Sequence, residues 1–365
     1  MTVYLLNIVV IGLLYFFIYH SRTPKRRFLQ LSLTYLFFIS SFRDRSMGAD
    51  YAEYISAFER IRLTGSYYME EGYELLNRIV GLFTSHYVGI AIAVNLFIFI
   101  PLYYYLKNQV SEKYWGLCIA IFSFNPYMFI QSTFNAMRQG CATGIILIGL
   151  NILFNGRKRA RSVLLYLFFV AIAYSFHRIS LVMAVIPVVL QINWKRQYWI
   201  IAMGIALLLN FVGVRYIGAF VTTLLRFNKG YLNYDSSLLN NPVYVAFILL
   251  FFIFLLMHYD AYSQLGLRKK RLIDLYLFSL CFLIAALPND MLYRVYIILA
   301  ICALPSVPVL CECTELKIGK IRVKNEALFV RTLYVFYYLS FYVGYVLYLA
   351  VQSNARYIPY RFFFS

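Results

Sequence analysis

Long apolar runs, separated by short polar segments, occupy most of this chain. Because about 20 apolar residues cross the hydrocarbon core of a bilayer, the pattern predicts an all-α polytopic membrane protein with about twelve transmembrane helices (range 10–13). The segment 73–84 is expected to be an amphipathic or re-entrant helix. No repeat or soluble domain interrupts the pattern, so residues 1–365 are predicted to form a single transmembrane domain. The predicted spans are 3–20, 28–42, 87–106, 115–133, 139–154, 162–176, 179–192, 198–213, 242–259, 272–287, 292–310 and 329–350.

Composition excludes an ordinary soluble enzyme, a disordered chain and a nucleic-acid-binding protein. Hydrophobic residues make up 62% of the chain and charged residues only 13%, against about 25% charged in soluble domains. The net charge of +19 is then expected to mark the cytoplasmic loops. With the predicted spans, six basic clusters fall on one side, which we predict to be cytoplasmic. They lie at 22–27, 107–113, 157–161, 195–196, 268–271 and 317–324.

The basic residues of the opposite, outer side are almost all arginine. That side carries 12 Arg and a single Lys, Lys229, whereas the inside mixes 11 Arg with 10 Lys. Arg binds phosphate or carboxylate through a planar fork of donors, and Lys acts as a point charge. The asymmetry predicts an anionic ligand at the outer face, near the loops 43–74 and 214–241.

Four groups of polar residues on the outer side are candidates for that site. Each has a plain structural alternative: a solvated loop with weak ion pairs, an interface anchor, or a structural histidine. Charge at a membrane-buried edge is nevertheless expensive and often functional. The groups are Arg43, Arg45, Asp50 and Tyr51; Asn135, Arg138 and Gln139 after a helix break at Pro126; His177 and Arg178; and Arg215 with Asp290 and Arg294.

Metal binding is not expected from this sequence. Its four His are dispersed and no acidic cluster accompanies them, whereas protein-ligated metals require converging ligands. We therefore predict neither a metal nor another cofactor.

Five short motifs, in this order and among many spans, resemble the EpsG family, which groups with Wzy-type O-antigen and exopolysaccharide polymerases. The resemblance covers residues 43 to about 360. The motifs are Arg43-x-x-x-x-Gly48-x-Asp50-Tyr51, Glu71-Gly72-Tyr73, Asn135-x-x-Arg138-Gln139, Phe176-His177 and Pro359-Tyr360.

The resemblance implies a GT-C-type glycosyltransferase of the bacterial inner membrane, inverting and metal-independent, with its active face in the periplasm. Such an enzyme transfers a growing glycan from undecaprenyl pyrophosphate to a sugar hydroxyl of a lipid-linked repeat unit. Donor, acceptor and lipid bilayer are then the expected partners, with a chain-length regulator protein as a further one and no nucleic acid.

On that reading the leaving pyrophosphate needs cations, and the acceptor hydroxyl needs a base. Arg138, Arg43 and Arg294 are the first candidates for the cations, with Arg45 and Arg215 in reserve. His177 is the first candidate base and Asp50 the second. The remaining predicted substrate-binding residues are Tyr51, Asn135, Gln139, Arg178 and Asp290.

Other functions remain open at this point. A flippase or transporter of lipid-linked sugars is expected to carry charge near the mid-membrane and inverted repeats. An O-antigen ligase is expected to carry a larger outer domain, and a membrane acyltransferase would act on acyl donors.

Overall fold

The computed structural model describes residues 2–19, 21, 25–156, 158–210, 242–287, 290–312, 317–318, 321–322, 326–351 and 360–364. The described chain is helical, apart from a two-residue antiparallel ladder, β1 (Lys317–Ile318) with β2 (Ile321–Arg322), and a single bridge between Arg43 and Phe362. The helices are α1 Thr2–Leu14, α2 Lys25–Ser41, α3 Tyr51–Thr64, α4 Glu71–Gly81, α5 Val88–Gln109, α6 Trp115–Phe124, α7 Met137–Asn155, α8 Arg159–Phe176, α9 Ile186–Val189, α10 Arg196–Leu208, α11 Pro242–Met257, α12 Tyr259–Gln264, α13 Leu267–Ala286, α14 Asp290–Cys302, α15 Ser306–Glu312 and α16 Glu326–Val351.

Four of the described helices are long and apolar enough to cross a membrane: Val88–Gln109, Met137–Asn155, Arg159–Phe176 and Leu328–Val351. Two bent helix pairs raise the number to six if each pair is one span. The chain is therefore an α-helical membrane protein. The figure of about twelve spans and the likeness to GT-C enzymes stay predictions.

Pro126 breaks the fourth predicted span, as the sequence indicates. Helix α6 ends at Phe124, and a π-helical segment, Tyr127–Asn135, continues after a bend of 56°. Proline lacks an N–H and crowds the preceding turn, so it favours a kink or a break in a helix. The Asn125 side chain covers the break, because its Oδ1 accepts the Tyr127 N–H at 3.0 Å.

The described chain divides into two compact units, residues 1–178 with 329–365, and residues 179–328. The prediction of one transmembrane domain stays a prediction.

In the first unit, α5, α7 and α8 form a tightly packed group. A Cβ at Gly144 of α7 would lie 1.7 Å from the Phe97 carbonyl oxygen of α5, so glycine is what lets the two backbones approach.

Helices α5 and α7 run in the same direction, and α8 returns antiparallel to them. At their far ends, Gln109 Nε2 of α5 donates to Asn151 Oδ1 of α7 at 2.9 Å. Gly149 of α7 packs against Tyr166 and Phe169 of α8. The beginning of α7 and the end of α8 therefore lie at the same end of the group.

In the second unit, α10, α12 and α13 meet at a buried carboxylate. Asp274 Oδ1 accepts the Tyr259 hydroxyl at 2.6 Å and Trp199 Nε1 at 3.3 Å. Lys270 Nζ lies 3.4 Å from Asp274 Oδ2. Buried charge is retained where it is paired and hydrogen-bonded, and this cluster ties the three helices together.

Candidate functional site

Three helix ends of the first unit bring one carboxylate to two of the predicted site residues. Glu70 precedes α4, Arg138 lies in the first turn of α7, and His177 follows the last residue of α8. The three side chains form a cluster, called here the Glu70 cluster. Because α7 and α8 are antiparallel neighbours, their adjoining ends place Arg138 and His177 close together.

Glu70 is the centre of the cluster. Its Oε2 forms an ion pair with Arg138 Nη1, and its Oε1 lies 3.5 Å from His177 Nδ1. The side chains of Glu70 and His177 are only 9% and 7% exposed, whereas that of Arg138 is 27% exposed. The Arg138 side chain is therefore only partly exposed while its Nη1 is held by the carboxylate.

The electrostatics of Glu70 follow from this arrangement. Burial by itself would raise the pKa of the carboxyl, but the contact with His177 and the charge of Arg138 outweigh burial and lower the pKa to about 2. Glu70 is therefore ionised throughout the physiological range and can hold both basic partners.

Aromatic side chains line the cluster on the α3 and α4 sides. The Arg138 guanidinium carbon lies 5.8 Å from the centre of the Tyr54 ring, within cation–π range. The Tyr54 ring in turn meets Tyr73 edge to face at 5.7 Å. Arg138 is thus fixed by a carboxylate on one side and a ring on another.

Gly72 explains how α4 comes close enough to α8. A Cβ at this position would lie 2.4 Å from Ser175 Oγ and 2.9 Å from the Ser175 carbonyl oxygen. Only glycine allows that approach. The Glu71-Gly72-Tyr73 motif therefore sets the distance between Glu70 and His177.

Arg43 makes a different set of contacts. It is 0% exposed, and its guanidinium donates to the carbonyl oxygens of Met47 and Phe134, both at 3.2 Å, and to that of Ser40. The Tyr51 ring covers it at 3.8 Å. Burial lowers the pKa of the guanidinium. In this structure Arg43 joins the end of α2 to the residues before α7, and its donors face the main chain.

The turn between Arg43 and α3 is held against the same residues. Gly48 has a φ of +115°, and a Cβ there would lie 2.8 Å from the Phe134 carbonyl oxygen. The Ala49 N–H donates to Asn135 Oδ1 at 2.9 Å. Asn135 therefore binds the 48–49 turn, while Arg138, one turn later, binds Glu70.

The C-terminal segment 360–364 completes this region. The Asp44 N–H donates to the Arg361 carbonyl at 2.9 Å, and the Phe363 N–H donates to the Phe42 carbonyl at 3.1 Å. The Tyr360 hydroxyl donates to the Ile39 carbonyl. The segment pairs with the backbone on both sides of Arg43.

The other predicted site residues are spread out. Arg45 and Arg178 are exposed, Asp50 is half-buried in front of α3, and Gln139 is buried in α7. Arg294 is half-buried on α14 of the second unit. Arg215 and the side chain of Asp290 lie outside the described residues. The site assignments as a whole remain predictions.

Glu70 is absent from the residues predicted from sequence. Three further acids lie within 15 residues of it, and acids at a helix start suit the helix dipole, so nothing local singles it out. The sequence signal close to Glu70 was the Glu71-Gly72-Tyr73 motif, because its glycine marks a place where two backbones come close together.

The geometry of the Glu70 cluster does not identify the family of the chain, whereas a comparison with protein-family models does. The model of the EpsG family matches residues 26–362, nearly the whole chain. The chain belongs to the EpsG family. Neither a curated protein nor a solved structure matches it significantly. The resemblance predicted from the motifs is confirmed, and membership of the EpsG family associates the chain with polysaccharide polymerases of a glycosyltransferase-like kind.

Proposed function

We propose that this EpsG-family protein is a polysaccharide polymerase of the O-antigen or exopolysaccharide type. It transfers a growing glycan from undecaprenyl pyrophosphate to a sugar hydroxyl of a lipid-linked repeat unit. The observation that carries the proposal is the Glu70 cluster, in which a partly exposed arginine and a buried histidine share one carboxylate. The displacement of pyrophosphate by a hydroxyl requires both groups, a cation for the leaving pyrophosphate and a base for the attacking hydroxyl.

Arg138 supplies the positive charge for the leaving group in this proposal. As the bond between the anomeric carbon and the pyrophosphate oxygen breaks, negative charge grows on the pyrophosphate. The part of the guanidinium that Glu70 does not hold can donate to phosphate oxygens. Because Glu70 and Tyr54 already hold Arg138, little reorganisation is needed when the charge develops.

His177 takes the proton of the acceptor hydroxyl. A histidine whose Nδ1 donates to a carboxylate leaves Nε2 as the acceptor. With Nδ1 facing Glu70 at 3.5 Å, Nε2 accepts the proton as the hydroxyl oxygen forms its bond to the anomeric carbon. Glu70 orients the ring and stabilises the imidazolium that forms. Attack opposite the leaving group inverts the anomeric centre.

The position of the cluster in the bundle supports a site on the periplasmic side. The cluster lies where α7 begins and α8 ends. The basic segments 107–113 and 157–161 flank the opposite ends of α5, α7 and α8. Basic loops mark the cytoplasmic side of membrane proteins. The inner membrane, with the site facing the periplasm, is therefore the proposed location, and a chain-length regulator is a proposed partner.

Complementation of a strain that lacks its own polymerase tests the proposal. Wild-type protein is expected to restore a ladder of long O-antigen chains, and Arg138→Lys and His177→Asn, at equal protein levels, are expected to leave one repeat unit per core. A normal ladder from both variants would overturn the site. The complete loss of O-antigen in the deletion strain of the natural host would indicate a flippase or a ligase instead.

A further inference from the structure

Tyr68 exposes its whole aromatic ring close to Glu70 in the chain. The residue lies in the turn between α3 and α4 and is 99% exposed. It precedes Glu70 by two residues, so the two Cα atoms are at most about 7.6 Å apart. A large ring in solvent, this close to a buried ionised cluster, has the position of a ligand-contacting group.

The turn that carries Tyr68 is well ordered by hydrogen bonds. The Tyr67 N–H donates to Glu74 Oε1 at 3.0 Å, and the Met69 N–H donates to the Tyr67 carbonyl at 2.8 Å. Gly65 ends α3 in the left-handed conformation with φ +84°, which glycine adopts without strain. The backbone that carries the ring is therefore already ordered, and ligand binding has only the Tyr68 side chain left to order.

A second ring supports the first. Tyr67 meets Tyr68 at 6.2 Å with the rings inclined by 60°. The guanidinium of Arg60 lies 5.7 Å from the Tyr67 ring. Tyr67 is therefore fixed on its far side, and the Tyr67–Tyr68 pair forms a small aromatic surface.

Nearby polar residues distinguish this surface from the apolar end of α4. Ser66, Glu70 and Glu71 lie within three residues of Tyr68 in the sequence. At the other end of α4, about 16 Å away by helix rise, Leu82 and Phe83 are 82% and 84% exposed after an apolar run. An exposed ring with polar residues close to it in the chain suits a ligand that is apolar on one face and polar around its edge, as a pyranose ring is.

We infer that Tyr68, supported by Tyr67, stacks on a sugar ring of the lipid-linked glycan and forms a binding subsite beside the Glu70 cluster. The inference rests on the proposed function and adds to it a subsite for a sugar next to the reacting one. Tyr68 binds substrate and takes no part in proton transfer.

Two readouts on purified full-length protein test the subsite. The probe is the lipid-linked repeat unit isolated from a polymerase-deletion strain. Its equilibrium binding is measured first, and polymerisation in detergent second. The variants are Tyr68→Ala and Tyr68→Phe, with Phe83→Ala as the matched control, an exposed ring at the other end of the same helix.

Tyr68→Ala is expected to weaken binding and raise KM about tenfold, which corresponds to one lost ring contact. The kcat is expected to stay within about twofold, because the reacting groups are unchanged. Tyr68→Phe is expected to restore wild-type values, since it keeps the ring, and Phe83→Ala to match the wild type.

Unchanged binding in Tyr68→Ala would overturn the subsite, and so would a Tyr68→Phe defect as large as that of Tyr68→Ala. An equal loss of affinity for sugar-free phosphatidylglycerol vesicles would assign Tyr68 to the lipid surface instead. If the wild type binds the unit through Tyr68 but never lengthens it, the subsite stands and the proposed polymerase function fails.

Discussion

Glu70 and Arg138, 68 residues apart in the sequence, form a partly buried ion pair where α4 and α7 begin. The same carboxylate faces His177 through its other oxygen. Helix starts favour acidic groups and disfavour basic ones, so Arg138 in the first turn of α7 needs the compensating charge that Glu70 provides. The same ion pair therefore compensates the charge at the start of α7 and holds Arg138 in place for its proposed role in the reaction.

Removing the charge of Glu70 tests that link. Glu70→Gln is expected to lower polymerisation at least about 100-fold, the usual contribution of an oriented acid–base group, because both His177 and Arg138 lose their anchor. Stability is expected to fall by about 1–3 kcal/mol, the cost of leaving a buried polar partner unsatisfied. Polymerisation in detergent and thermal unfolding measure the two effects.

Glu71→Gln is the matched control for that experiment. Glu71 is the next residue and is exposed, so the same chemical change there is expected to alter neither activity nor stability. Equal effects of the two substitutions would show that total charge near α4 matters and that the buried pair does not.

Gly72 is expected to tolerate no side chain. Gly72→Ala places a methyl group 2.4 Å from Ser175 Oγ and 2.9 Å from the Ser175 carbonyl oxygen. The helices must separate, at a cost of about 1–3 kcal/mol, as in other overpacked sites. The longer distance between Glu70 and His177 is expected to reduce kcat as well.

A second glycine of α4 controls for the change in helix propensity. In Gly81→Ala the nearest atom to the new methyl group is Arg62 Cγ at 3.4 Å, on a flexible side chain. This variant is expected to be as stable as the wild type or slightly more stable, because glycine disfavours helices by about 0.5–1 kcal/mol relative to alanine. Destabilisation by Gly81→Ala that equals that of Gly72→Ala would contradict the packing argument.

The depressed pKa of Glu70 predicts a pH dependence of stability. The group titrates at about 2 when folded, against an ordinary value of 4.5. Its contribution is therefore complete above pH 4.5 and is lost as the pH falls toward 2. The basic groups that face the carboxyl are Arg138 and His177.

Unfolding of wild type and Glu70→Gln between pH 7 and pH 2.5 measures this contribution. The difference in stability between the two proteins is expected to be constant down to about pH 4.5 and to shrink below it. A difference that grows on acidification would show that the folded-state pKa of Glu70 is raised and not lowered.

Arg43 is expected to act through the backbone it binds. Arg43→Lys keeps the charge, but lysine lacks the planar guanidinium that donates to the Met47 and Phe134 carbonyls at the same time. We expect a loss of about 1–3 kcal/mol, the cost of unsatisfied buried groups. The exposed Arg45→Lys is expected to stay within about 0.5 kcal/mol. Wild-type stability of Arg43→Lys, with weaker binding of lipid-linked pyrophosphate, would instead support Arg43 as a ligand-binding residue.

Parts of this architecture follow from local sequence, and other parts do not. The apolar runs predict helices whose bounds the structure largely reproduces, such as Val88–Gln109 for the predicted 87–106. Pro126 predicts the break after α6, because a missing N–H acts locally. The predicted span 292–310 is in fact two helices bent by 47° between Met291–Cys302 and Ser306–Glu312. Pro305 lies in the break between them, a signal of the same kind that the prediction did not use.

The partners of polar residues were less predictable than the helices. Asn135, Arg138 and Gln139 share helical spacing, which favours a common site. The backbone instead changes conformation at Ala136, with φ −89° and ψ 58°, and directs Asn135 to the 48–49 turn. Pairings across 68 residues, such as Glu70 with Arg138, depend on which helix ends adjoin, and periodicity does not encode that.

Polymerisation by the purified protein in detergent tests the central claim most directly. Wild-type protein is supplied with lipid-linked repeat units and compared with Arg138→Lys and with Arg62→Lys, a change at an exposed arginine of α3 outside the predicted site. We predict long glycan and released undecaprenyl pyrophosphate from the wild type and Arg62→Lys, and a loss of about 100-fold or more for Arg138→Lys. Full-length polymer from Arg138→Lys at the wild-type rate would contradict the account.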